Sequence, residues 1–118
     1  MRLGFWGAGL RVVMGVLVLA GFVSAAHAAD APSRGLAIAR ANACMGCHTV
    51  DRKLVGPSFQ QIAEKYKGNA GAAVLLSKKV KDGGSGVWGA IPMPAHPAMN
   101  DADIRTVVDW VLAGASSK

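Results

Sequence analysis

Apolar positions along the chain fall into five blocks of two kinds. The first is continuous. From Val12 to Val23 no charge interrupts the run, and Arg2 and Arg11 are the only charges before Asp30. At about twelve residues it is too short for a membrane span of roughly twenty. Ser24-Ala25-Ala26-His27-Ala28 follows, and Ala26-His27-Ala28 fits the small-x-small rule for signal cleavage. Residues 1–28 therefore read as a Sec-type signal peptide, and residues 29–118 as the exported domain.

The other four blocks are periodic. Pro32-Ser33 opens a helix over 33–43 with Leu36 and Ile38. Ser58 begins a short helix to Lys67, with Phe59, Ile62, Ala63 and Tyr66 on one face. A third helix is expected over 71–82, with Val74, Leu75 and Val80 inward. Lys78, Lys79 and Lys81 near its end suit the helix dipole, and Gly83-Gly84 stops it. Asn100 caps the last helix, with Asp101 and Asp103 in its first turn. There Ile104, Val107, Val108, Val111 and Leu112 recur at i, i+3, i+4, i+7 and i+8. The predicted class is all-α, about four helices, with a core of Leu36, Phe59, Ile62, Val74, Leu75, Val107, Trp110 and Val111. Between the last two helices, residues 83–99 lack periodicity. They hold four glycines, three prolines and two methionines, and a loop of this length is usually functional.

Composition changes this picture once the signal is set aside. The whole chain is 52% hydrophobic with a mean hydropathy of +0.31, and the first block supplies much of that. Cleavage after Ala28 removes Arg2 and Arg11, so the formal charge falls from +6 to +4. The ninety residues that remain can bury only a thin core, which a disulfide, metal or cofactor commonly completes. Two cysteines are too few for a disulfide scaffold.

Both cysteines lie in Cys44-Met45-Gly46-Cys47-His48. C-x-x-C-H is the attachment signature of c-type haem. Thiols at this spacing reach the two vinyl groups on one porphyrin edge, and the next His is turned toward the iron. A thioredoxin-like C-x-x-C would follow a strand, whereas this one follows a helix. A zinc site wants a second ligand pair. The candidates for the sixth iron position are Met93, His96 and Met99, or no residue. Prolines 92 and 94 flank Met93 and stiffen the chain, as presentation of a sulfur at fixed distance demands. Thioether ligation would raise the potential, whereas His96 would give a lower-potential bis-His site.

Together with Val55-Gly56-Pro57 and the run Gly86-Val87-Trp88-Gly89-Ala90-Ile91-Pro92-Met93-Pro94, this motif resembles the bacterial class I cytochromes c of the c-551/552 group. The resemblance covers nearly all of 29–118. It implies a mono-haem fold with Cys44 and Cys47 as covalent attachment points. His48 and Met93 are the implied axial ligands. The Pro57 carbonyl would accept the His48 Nδ1 proton, and the Trp88 indole and Lys79 ammonium would meet haem propionates. The group often has Arg where this chain has Lys79, and Asn where it has His96. The implied function is soluble, periplasmic one-electron transfer, not catalysis. The alternative is a haem enzyme or gas sensor with an open sixth position. Implied partners are redox proteins such as a terminal oxidase, nitrite reductase or dehydrogenase. A monomer is expected, without stable membrane insertion after cleavage. No nucleic-acid module is visible.

Overall fold

The computed structural model describes residues 31–117, together with Gly4. The cleavable signal expected over 1–28 otherwise lies outside the described residues. Four helices follow in order: α1 (Ala31–Ala41), α2 (Phe59–Lys65), α3 (Ala72–Asp82) and α4 (Asp101–Leu112). A single 3-10 turn, Cys44–Gly46, lies between α1 and α2. Among the described residues there is no strand, only an isolated antiparallel bridge between Gly84 and Met93.

Helix α4 is the spine against which the other three pack. The Asn100 side chain accepts from the Asp103 amide at 2.8 Å, and the two first-turn aspartates complement the helix dipole. Ile104, Val107, Val108, Trp110 and Val111 are all buried. Helix α1 crosses this face with Leu36 and Ala39 buried, and Gly35 sets the closeness of the crossing. A Cβ on Gly35 would stand 2.2 Å from Trp110 Cβ. Helix α2 starts from a reciprocal cap. Ser58 Oγ accepts from the Gln61 amide, while Gln61 Oε1 accepts from the Ser58 amide.

Helix α3 corrects the expected core. Val74 and Leu75 are exposed, at 72% and 50%, and the inward side is Ala72, Ala73, Leu76 and Val80. The cause is the phase of the helix. Ala72 through Leu76 are apolar all round, so this stretch alone does not select a face. Val74 is followed at i+4 and i+8 by Lys78 and Asp82, which pair with each other in solvent. Burying Val74 would bury those charges as well, at far greater cost than one exposed valine. From the last turn of α3, Lys81 reaches the Met99 carbonyl at 2.8 Å and Asp101 at 3.2 Å, so the loop after α3 is bound back at its far end.

Candidate functional site

The site has two walls. The near wall follows α1 directly. Ala43 turns the chain in the left-handed region at φ 59°, and the 3-10 turn then stacks Cys44, Cys47 and His48. Amides of Cys47 and His48 both donate to the Cys44 carbonyl, at 3.2 and 3.0 Å. The Gly56 amide donates to the Cys47 carbonyl at 2.8 Å, which folds the 49–56 loop back beneath the motif. His48 is buried, and its Nδ1–H donates to the Pro57 carbonyl at 2.7 Å. That bond fixes the tautomer and leaves Nε2 as the nitrogen free to bind a metal. One face of the imidazole stacks on Phe59 at 5.2 Å between centroids. Gly56 meets the ring so closely that a Cβ there would stand 2.7 Å from His48 Cε1.

Both thiols are unpaired and partly buried. Burial pushes the Cys44 thiol above its ordinary pKa, partly offset by a hydrogen bond involving its own backbone. The cost of desolvation falls on a thiolate; a neutral thioether at the same position escapes it.

The far wall is the loop that continues from α3. The Gly84 and Met93 amides donate to each other's carbonyls, at 3.0 and 2.9 Å, and close the loop into a hairpin. Within it the Gly86 amide donates to the Gly89 carbonyl at 2.8 Å. Gly83 has φ 71°, and a Cβ there would stand 2.5 Å from the Met93 carbonyl oxygen. No other residue type fits this corner without displacing the Met93 strand. Trp88 lies at the hairpin tip, 43% exposed, with the Lys65 ammonium 5.3 Å from the centre of its ring.

Between the walls runs a crevice of about 340 Å³. Every site residue named from the sequence lines it: Cys44, Cys47, His48, Pro57, Lys79, Trp88 and Met93. Its floor is apolar, made by Phe59, Ile62, Leu76, Val80, Val108 and Val111. Lys79 projects along its edge, with Nζ close against Gly84. The two other candidates for the sixth iron position lie elsewhere. Met99 is buried in the helical core. The His96 amide is tied to the Val80 and Lys81 carbonyls, and His96 does not line the crevice. Among the described residues no three His, Cys, Asp or Glu side chains gather as a metal site would require, so the zinc alternative has no ligand set.

Comparison with known proteins agrees with this architecture. The family model described as Cytochrome c matches residues 32–115. Cytochrome c-551 of Azotobacter vinelandii is 52% identical over 69 residues, 58% of this chain and 83% of that protein. Cytochrome c-552 of Nitrosomonas europaea is 47% identical over 75 residues, 64% of this chain and 73% of that protein. The crystal structure of wild-type Nitrosomonas europaea cytochrome c552 superposes with a TM-score of 0.64 at 45% identity, over 66% of this chain and 96% of that one. The chain belongs to the cytochrome c family, and within it to the class I, mono-haem cytochromes of the c-551/552 group. It carries a covalently bound c-type haem and is an electron carrier, not an enzyme. The residues present fit that group. Two free thiols, an imidazole with one nitrogen already engaged, a thioether and an apolar floor share one crevice.

Two residues of this site carry no individual role in the sequence reading. Gly56 there is only part of a motif and Tyr66 only part of a helix face, while Phe59 is counted with core residues of which several are expected to touch the haem. All three line the crevice. The closeness of Gly56 and Phe59 to Pro57 in sequence is the one signal that could have singled them out.

Proposed function

We propose that the chain is a periplasmic one-electron carrier in which His48 and Met93 are the axial ligands of the haem iron. The observation that carries this reading is the sharing of one crevice by the C-x-x-C-H motif and Met93, with His96 and Met99 outside it. The haem supplies a metal that cycles between ferrous and ferric states. The chain's residues do the rest. Cys44 and Cys47 anchor one porphyrin edge. Pro57 orients His48 and raises its basicity. The proline-flanked Met93 holds a soft donor that favours the ferrous state. The apolar floor excludes water, which also favours the less charged form. Trp88 and Lys79 at the crevice edge would bind the propionates. Lys79 would do so as a point charge, not as the planar fork an arginine offers.

The export signal read over 1–28 and the extracytoplasmic attachment of c-type haem support the periplasmic assignment. Among the described residues no helix is long and apolar enough to cross a membrane. Lys53, Lys65 and Lys79 lie at or near the crevice, so the fitting partner is a redox protein with an acidic docking rim.

Carbon monoxide tests the ligand assignment. The reduced wild-type protein at neutral pH is expected to resist it, whereas Met93→Ala binds it rapidly and loses the red absorption band of ferric iron–methionine ligation. Rapid, full binding by the wild type would instead establish an open iron face, as in a gas sensor.

A further inference from the structure

The iron-side imidazole is held on more than one side, and only one of its contacts is the Pro57 hydrogen bond. That bond fixes the tautomer but still permits the ring to rock about the Nδ1–oxygen line. Two other contacts oppose such motion. Phe59 lies against one face at an interplanar angle of 24°. Gly56 lies against the Cε1–Nδ1 edge, with space for a hydrogen and none for a methyl group. Phe59 is itself 4% exposed and is wedged edge-on against Trp110, at 5.1 Å and 66°. Trp110 is held in turn by Gly35 on α1 and by donation of its indole N–H to the Ser116 carbonyl at 3.0 Å. An unbroken aromatic column therefore runs from the iron-facing ring to the α1–α4 crossing.

We propose that Phe59 is a positioning residue that sets the rotation of the His48 ring plane, with Gly56 as a stop at Cε1 and Trp110 as the backing. This rests on the reading of His48 as an axial ligand. The orientation of an axial imidazole, together with that of the thioether opposite, decides how unpaired spin is distributed over the four pyrrole quadrants of a ferric haem. The column thus gives the α1–α4 interface a direct mechanical hold on the electronic state of the iron. Packing bulk alone would not require a flat side chain at 59; orientation does.

The test uses proton NMR of the haem-loaded protein. In the ferric state the spread and order of the four haem methyl resonances report the orientations of the two axial ligands together, and Phe59 and Gly56 touch the His48 ring of that pair. Phe59→Leu, which keeps apolar bulk and removes the flat face, is expected to change that spread. Phe59→Tyr should keep the wild-type pattern. Gly56→Ala, which pushes the ring at Cε1, should change the pattern as well. Phe59→Leu with wild-type methyl resonances and only a lower melting temperature would overturn the proposal. If Phe59→Leu fails to fold, an unchanged pattern in both Phe59→Met and Gly56→Ala would overturn it equally. Failure of the underlying ligand reading is separately visible. The His48 ring protons of the ferrous wild type would then lack the large upfield displacement that a ring current imposes on an axial ligand.

Discussion

Gly83 shows how much a single residue position can hold. Its φ of 71° and the 2.5 Å approach to the Met93 carbonyl make two separate demands, one conformational and one steric. Gly83→Ala violates both. It is expected to cost roughly 1–3 kcal/mol in urea titration. It should also weaken the red ferric band at neutral pH, because the displaced atoms belong to Met93 itself. A loss of stability with the band intact would show that the hairpin relaxes away from the iron. At this scale the C-M-G-C-H motif is legible in the sequence because its chemistry tolerates few spacings. The roles of Gly56 and Phe59 are not. Each depends on where the 49–56 loop returns, and that is set by the Gly56 amide reaching the Cys47 carbonyl. Gly83 lies between these cases. A glycine pair after a helix announces a stop, but its contact with residues ten positions further on is a tertiary fact.

The elements differ in how plainly they declare themselves. Helix α4 has a cap, a dipole-matched first turn and a clean stripe, all of which agree, and the stripe is buried except for the half-buried Leu112. Helix α3 has five apolar residues in succession at its start, so its face is decided by the charged residues one and two turns on. The α1–α4 crossing depends on Gly35, which sequence alone shows as one more glycine in an alanine-rich helix. Gly35→Ala is expected to force the helices apart and to destabilise the protein by roughly 1–3 kcal/mol, the usual cost of overpacking. Thermal unfolding of the haem-loaded protein would measure it. A melting temperature unchanged from wild type would show that the two helices can move apart at no net cost.

For the molecule as a whole, the cofactor is a structural member. A crevice of about 340 Å³ with an apolar lining leaves the thin helical core incomplete on the side that the haem fills. Cys44→Ala/Cys47→Ala, which cannot retain haem covalently, is therefore expected to lose most of its helix signal in far-UV circular dichroism. Full helix content in that variant would show that the four helices stand alone. Charge acts at the same scale. With cations at the crevice edge, the rate of electron transfer to an acidic protein partner should fall as salt rises from 10 mM toward 1 M and the screening length shrinks from about 30 to 3 Å. A salt-independent rate would assign docking to apolar contact alone.

The hairpin closed by Gly84 and Met93 has one more consequence, for how such a molecule can change over generations. The near wall is continuous with the helical core, so substitutions there are paid for in folding. The far wall is a short loop closed by its own two hydrogen bonds between Gly84 and Met93, nine positions apart, with its tip in solvent. Under the ligand assignment proposed above, residues of its tip can vary, and with them the affinity of the iron for electrons, while the helices keep their arrangement. A lineage could retune the driving force of its electron transfer by editing one loop.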